Sequence, residues 1–201
     1  MKRLAFLVTP LLLLAACGNG DGDKDDSNQD PSEDSSSEAA PVYEILPVSA
    51  EAPAGFVEAE GAEPDFPYYE ESATQRFEVA GGKGEDRLEI SSFVLPEGTD
   101  TSTIALQREL ATSLTDGGNG FTYTSAADGA LVNGKHGIYR FGRSGDGDDQ
   151  LKQREYFIFS ETQMVYASCQ WKDNYEQVER ACPELLAGIE FGGEWNDPLQ
   201  A

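Results

Sequence analysis

Three stretches in the second half of the chain carry the clearest strand pattern. Gly134 to Gly142, Leu151 to Ser160 and Gln163 to Trp171 follow one another through short or polar connections, which predicts an antiparallel meander. Within the second, Tyr156-Phe157-Ile158-Phe159 is apolar at successive positions, so this strand has two faces to bury and needs cover on both. Val42 to Val48, Gln75 to Ala80, Arg87 to Val94 and Phe121 to Ser125 read as further strands. Gly81-Gly82-Lys83-Gly84, Asp128-Gly129, Asn133-Gly134 and Gly145-Asp146-Gly147-Asp148 mark the turns.

Two segments change to a helical period. From Asp100 to Thr115, apolar Ile104, Leu106, Leu110, Ala111 and Leu114 recur every three to four residues. Asp100, Thr101 or Ser102 is the expected N-cap and Asp116-Gly117-Gly118 the stop. Between Asp173 and Phe191, Tyr175, Val178, Cys182, Leu185, Leu186 and Ile189 give the same period, but Pro183 removes a backbone donor and crowds the preceding turn. A break is expected there, with Cys182 as cap and Pro183 at the first position of a following helix. Together these elements predict an α+β fold, an antiparallel β-sheet flanked by helices on both faces.

The N-terminus is built differently. Lys2 and Arg3 precede an uncharged run from Leu4 to Ala16, a basic region and an apolar region too short to cross a bilayer as a mature helix. Residues Leu14-Ala15-Ala16-Cys17 match the lipobox of bacterial lipoproteins. The resemblance implies that residues 1–16 are a cleaved signal peptide, that the Cys17 thiol receives a diacylglycerol with acyl chains such as palmitate, and that Cys17 becomes the new N-terminus. Each buried CH₂ contributes about 0.8 kcal/mol, so two acyl chains hold where one exchanges. The location expected is the extracytoplasmic face of the bacterial cell membrane, reached by the general secretory route because Lys2-Arg3 falls short of a twin-arginine motif.

Gly18 to Ala40 holds eight acidic residues, one lysine and no aliphatic side chain larger than Ala, a composition that does not bury enough surface to offset ordering. Residues 17–40 therefore read as a lipidated cysteine followed by an acidic disordered tether, about 25 Å across when relaxed and about 75 Å when extended. Asp21, Asp23 and Asp25 have the spacing of a calcium-binding loop. Asp26 stands where that loop needs Gly, and Ser32 where it needs a bidentate Glu, so no metal site is expected. Residues 41–193 read as one domain without internal repeats, and 194–201 as a short C-terminal tail.

Charge narrows the partners. The chain has 37 acidic and 14 basic residues, a formal charge of −23 and a pI near 4.1. Residues 41–201 keep 29 acidic and 11 basic residues, so the folded part is acidic as well. Such a surface repels polyanions, which excludes nucleic acid as a partner and argues against electrostatic attachment to anionic lipid or teichoic acid.

The order of strands, a helix, long antiparallel strands and a final helix ending in Leu185-Leu186-Ala187-Gly188-Ile189-Glu190-Phe191 resembles the PsbP-like superfamily. Gly137-Ile138-Tyr139-Arg140-Phe141, Gln153 to Phe159 and Met164-Val165-Tyr166-Ala167-Ser168-Cys169 carry the resemblance, which spans roughly Tyr43 to Phe191. That group includes the extrinsic subunit of photosystem II, a small nuclear-import factor and many actinobacterial lipoproteins. It implies a PsbP-like α/β/α sandwich, an actinobacterial source and a binding or assembly role.

Candidate chemistry is sparse. With Cys17 taken by lipid, Cys169 and Cys182 form an even pair in an oxidising compartment, which favours a structural disulfide over a metal pair or a reactive thiol. His136 is the single histidine and reads as an exposed strand-edge residue. No nucleophile elbow, phosphate loop or zinc-protease helix is present, so no catalytic, cofactor or metal residue is assigned and no enzyme is expected. Lys135, His136, Arg140, Arg143, Lys152 and Arg154 lie on the two strands flanking the acidic loop Asp146-Gly147-Asp148-Asp149. Cross-strand pairing is the simpler account. The functional account makes Lys135, His136, Arg140, Lys152 and Arg154 an anionic-ligand patch, with Tyr139, Phe141 and Tyr156 adding apolar contact. The expected function is a membrane-anchored, extracytoplasmic lipoprotein acting as a non-catalytic binding or assembly module for an envelope protein or amphiphilic ligand. The alternative is a carboxylate-dependent hydrolase acting on envelope glycans, supported only by the surplus of Asp and Glu.

Overall fold

The strand Gln163–Trp171 is buried at every one of its nine positions, and its alternating side chains sort into two separate cores. Val165, Ala167, Cys169 and Trp171 belong to one, and Met164 and Tyr166 to the other. The computed structural model describes residues 44–60, 66, 70–116 and 120–200, all within the compact unit Pro41–Ala201. In chain order the elements are β1 (Val48–Ser49), β2 (Phe56–Ala59), β3 (Glu70–Val79), β4 (Arg87–Val94), α1 (Ile104–Thr115), β5 (Thr122–Tyr123), β6 (Asp128–Val132), β7 (Lys135–Ser144), β8 (Leu151–Phe159), β9 (Gln163–Trp171), α2 (Tyr175–Gly188) and β10 (Glu190–Phe191). An antiparallel sheet runs β2-β3-β4-β9-β8-β7-β5, with β6 also paired to β7. The short strands β1 and β10 form a separate antiparallel ribbon.

Each helix closes one face. On the first, Val178, Ala181, Cys182 and Leu185 of α2 pack with Leu88, Ile90, Ile158, Val165 and Ala167. On the second, Ala111 of α1, flanked by Ile104, Leu110 and Leu114, packs with Phe93, Ile138, Phe157, Phe159 and Met164. The α+β architecture with helices on both faces of an antiparallel sheet is thus the one the periodicity calls for. Among the described residues no helix is long and apolar enough to cross a membrane.

Side chains hold α2 at its entrance and its middle. Asp86 is buried, and its carboxylate accepts from the backbone N–H groups of Lys172, Asp173 and Asn174 at 2.8, 3.1 and 3.0 Å and from the Asn174 amide at 2.8 Å. Negative charge there also complements the helix N-terminus. Cys182 is bonded to Cys169 of β9, with a Cα–Cα distance of 5.8 Å. The even cysteine pair is therefore the disulfide that the cysteine count favours.

Several elements differ from the sequence pattern. Pro183 lies inside α2, which continues unbroken; Pro183 is exposed, while its neighbours Ala181, Cys182 and Leu185 are buried. Packing and the disulfide at the adjacent residue outweigh one lost hydrogen bond. The N-cap of α1 is Thr103, whose Oγ1 accepts from Leu106 N. Asp100 instead accepts from Ser102 N, and Thr101 Oγ1 donates to the Ser160 carbonyl. Asp128-Gly129, expected as a turn, begins β6 because Asn133 and Gly134 at φ 45° and 76° close a tight hairpin that extends pairing back to Asp128↔Tyr139. Of the expected Val42–Val48 strand, the described residues 44–48 contribute strand only at Val48, and β2 carries no strand signal strong enough to read. Within residues 194–200, Asp197 is buried and Trp195 lies against the α2-side core, while Glu194, Asn196 and Gln200 are exposed. The leader, Cys17, the acidic tether, the start of the expected Val42 strand and Gly117-Gly118 lie outside the described residues.

Two outcomes are expected. Removing the disulfide by Cys169→Ala with Cys182→Ala lowers stability by about 3 kcal/mol, a fall in Tm of about 6–12 °C in calorimetry. At Asp86, burial pushes the carboxyl pKa up, but the hydrogen bonds from Asn174, Lys172 and Asp173 prevail and leave it below its ordinary 3.8. Its stabilisation is therefore present above about pH 3.8 and is lost as pH falls through the lowered value. Asp86→Ala strands three N–H groups and costs about 1–3 kcal/mol at neutral pH, a deficit that shrinks in urea unfolding carried out at decreasing pH.

Candidate functional site

Alternation also decides where the cationic candidates go. In β7 and β8, Ile138 and Phe157 belong to the core beneath α1, whereas Ile158, Phe141 and Tyr156 belong to the α2 side. Directly paired residues share a face, so Arg140↔Glu155 points to the α1 side and Phe141↔Arg154 and Arg143↔Lys152 to the α2 side. The structure therefore does not gather Lys135, His136, Arg140, Lys152 and Arg154 into one patch.

Arg140 and His136 are both committed to carboxylates. Arg140 is buried, donates to Thr115 Oγ1 and to Asp116 Oδ1 at 3.0 Å, and lies 4.3 Å over the Tyr123 ring. Gly142 makes room for that ring, since a Cβ there would sit 3.1 Å from it. His136 is hydrogen-bonded through its backbone N–H and Nδ1 to Asp197 Oδ2, at 2.9 and 3.1 Å. The half-exposed ring fits a structural tie from β7 to the C-terminal segment. Lys135 lies at the far end of β7 from Arg143 and has no ion-pair partner among the described residues.

The α1 side carries a row of polar residues that the sequence does not announce. Strand pairing aligns Arg76↔Glu89↔Ser168↔Glu155↔Arg140 across five strands. Arg76 and Glu89 are joined at 2.9 Å. Glu155 is 1 % exposed; its Oε1 accepts from Tyr166 Oη and from Gln153 Nε2, both at 2.8 Å. Gln153 also donates to Tyr166 Oη. Burial pushes the Glu155 carboxyl up, and the opposing hydrogen bonds from Tyr123 and Tyr166 and the charge of Arg140 do not cancel it. Burial beside this carboxylate likewise holds the Tyr166 phenol well above its usual range. The signal that would have found this row is the stretch Gln153-Arg154-Glu155, polar on both faces of an otherwise central strand.

The α2 side of the same two strands is aromatic and cationic. Tyr139 and Tyr156 face each other with ring centroids 5.3 Å apart. Arg143 lies 5.4 Å over Phe141, which stacks on Trp171 at 5.9 Å, and Arg154 lies 5.4 Å over Trp171. Arg154 also pairs with Glu179 of α2. Elsewhere, an open cleft of about 490 Å³ is lined by Asp100, Thr101, Glu161 and Asp197, and another of about 530 Å³ lies between Gly55 and α2. Among the described residues no group of three or more His, Cys, Asp or Glu side chains is placed to hold a metal ion.

No family model matches the chain, and no curated protein matches it in sequence. Its fold is similar to that of LpqN of Mycobacterium tuberculosis, described as involved in cell envelope biogenesis, with a TM-score of 0.50 and 12 % identity over 74 % of this chain and 84 % of that one. The solution structure of cyanobacterial PsbP from Synechocystis gives 0.44 and 10 % over 73 % and 92 %, and a protein from Bacteroides thetaiotaomicron gives 0.47 and 12 % over 73 % of this chain. The matched region spans 46 % of the Bacteroides chain. At these identities the likeness to LpqN is one of fold, and the two lower scores carry no further argument.

Glu155 offers a signed pH test. Its folded carboxyl keeps the proton at pH values where the unfolded chain, with an ordinary value near 4.5, has lost it. The stability this group contributes is full below about 4.5 and declines as pH rises through the raised folded value. Glu155→Gln removes that decline, so the difference between variant and parent in urea unfolding moves in the variant's favour from pH 4 to pH 8.

Proposed function

We propose that this chain is a bacterial, and specifically actinobacterial, lipoprotein, anchored through diacylglycerol on Cys17 to the extracytoplasmic face of the cell membrane, where it acts as a non-catalytic binding or assembly module. Its partner is an envelope protein or an amphiphilic ligand. The observation that carries the location is Leu14-Ala15-Ala16-Cys17 at the end of a basic and then apolar leader, followed at once by an acidic stretch suited to a tether. The disulfide between Cys169 and Cys182 supports an oxidising compartment. The fold shared with LpqN, a protein named for cell envelope biogenesis, is in keeping with this setting.

Binding rather than turnover is supported by how the ionisable groups are used. Arg140, His136, Asp86 and Glu155 are each tied to neighbours within the fold. With β9 buried along its length between two helix-covered cores, recognition falls to the surface.

Full-length protein expressed in a lipoprotein-processing bacterium should partition into the detergent phase, and Cys17→Ala should release it to the aqueous phase or leave the leader uncleaved. Intact mass showing an unmodified Cys17 in the parent protein would sink the anchoring. Multiple-turnover hydrolysis of envelope glycans or lipids, abolished by a single Asp or Glu substitution, would replace the binding role with a hydrolase.

A further inference from the structure

Among the described residues, two cations on the α2-side face of β7 and β8 stand without an ion-pair partner. Arg143 and Lys152 stand directly opposite each other on neighbouring strands, and neither has an ion-pair partner among the described residues. Like charges in that position destabilise a sheet. The arrangement is notable because acidic residues outnumber basic ones 29 to 11 over residues 41–201. Most other cations on this part of the molecule are matched: Arg140 with Asp116, Arg154 with Glu179, and Lys172 with Glu85 and Asp149. Asp149 of the adjoining loop pairs with Lys172 at 3.3 Å and makes no ion pair with Arg143 or Lys152.

The neighbouring rows supply the second half of a site. Next to Arg143 and Lys152 come Phe141 and Arg154, and then Tyr139 and Tyr156, all on one face and advancing by two residues per row. The strip is about 13 Å long. Tyr139 and Tyr156 are half-buried and retain exposed surface, while Phe141 is engaged by Arg143 and Trp171. The Arg143 guanidinium carbon lies 5.4 Å from the centre of the Phe141 ring, and the side chain is exposed to solvent. The helix α2 packs mainly on β9 and β4 and reaches β8 through Glu179, which pairs with Arg154 in the middle row of the strip.

We propose that this strip binds an anionic saccharide, with the carboxylate or phosphate of the sugar held between Arg143 and Lys152 and its pyranose rings laid against Tyr139 and Tyr156. The proposal rests on the binding role above and names its surface and ligand class. A ring that is apolar on its C–H faces and polar at its rim suits half-exposed aromatics, whereas an acyl chain gains little unless it is enclosed. Charge-assisted, partly bidentate hydrogen bonds from Arg143 fix the anionic group. The net negative charge of the protein acts at long range and is screened beyond about 8 Å at physiological salt, so it opposes long polyanions more than a short oligosaccharide whose charge touches the cations.

Calorimetric titration of the full-length protein in detergent with trigalacturonate tests this, with neutral maltotriose and the peptide triglutamate as comparisons. Trigalacturonate is expected to bind saturably and at least tenfold more tightly than either comparison. Arg143→Gln with Lys152→Gln should weaken it at least tenfold, Tyr139→Leu several-fold, and near-UV circular dichroism of each variant should match the parent. Retention of full affinity by the double variant would overturn the site. Equal affinity for triglutamate, indifferent to Tyr139→Leu, would reassign the strip to acidic peptides and overturn the saccharide. Absence of trigalacturonate binding by protein that still partitions into detergent would overturn this inference while leaving the anchored module intact. Cleavage of trigalacturonate would instead overturn the non-catalytic role.

Discussion

A strand buried on both faces along its whole length must have every side chain solvated by protein, and β9 imposes that requirement on the elements around it. Toward α2, beyond Gln163 at its start, its residues are Val165, Ala167, Cys169 and Trp171, all apolar and small in the middle, where Cys169 is bonded to Cys182 of the helix. Toward α1 the character changes midway: Met164 and Tyr166 are packed beneath the helix, but Ser168 and Gln170 are buried and polar. Those positions demand partners, because a buried polar group without one costs about 1–3 kcal/mol. The aligned row from Arg76 to Arg140, and the bond from Gln170 Nε2 to the Glu85 carbonyl, supply a polar setting for them.

The same demand explains how an acidic chain deploys its few cations. Arg76, Arg87 and Arg140 are spent near buried carboxylates on the α1 side, where an unmatched Glu89 or Glu155 would be expensive. Lys172 bridges Glu85 and Asp149 at the approach to α2. Cations that remain unmatched in such a molecule are therefore informative, since repulsion among the acids favours using each one.

What the sequence made legible was the period of the long elements. Alternation in Leu151 to Ser160 and Gln163 to Trp171, and the three-to-four repeat in the two helices, follow from side-chain geometry that local sequence carries directly. Short elements were harder: β2 and β6 exist because they add to an edge already formed, and the edge is set by residues distant in sequence. Pro183 misled for a related reason. Its local penalty is real, but Cys182 and Leu185 on either side are held by contacts formed elsewhere in the chain. The cationic cluster near the acidic loop was visible as composition. Its division between two faces required the register, because adjacent residues such as Arg140 and Phe141 point in opposite directions. The ties of Asp86 and Asp197 join positions 86 to 88 and 61 residues apart in the chain and leave no local trace.

The segment leading into β1 gives the folded unit a particular mechanical character under the anchoring proposed above. A protein held by its N-terminus and pulled through a partner feels the load first around residues 44–50. Leu46 N donates to Gln163 Oε1, Ser92 Oγ donates to the Leu46 carbonyl, and Ala50 N donates to Gln75 Oε1. Gln163 also returns a bond to the Glu44 carbonyl, and Gly192 N reaches the Pro47 carbonyl. Tension entering there is shared at once among β9, β4, β3 and the residues after α2. A pull applied ahead of residue 44 therefore loads the sheet as a whole, and peeling off the first strand requires breaking attachments to several elements in parallel.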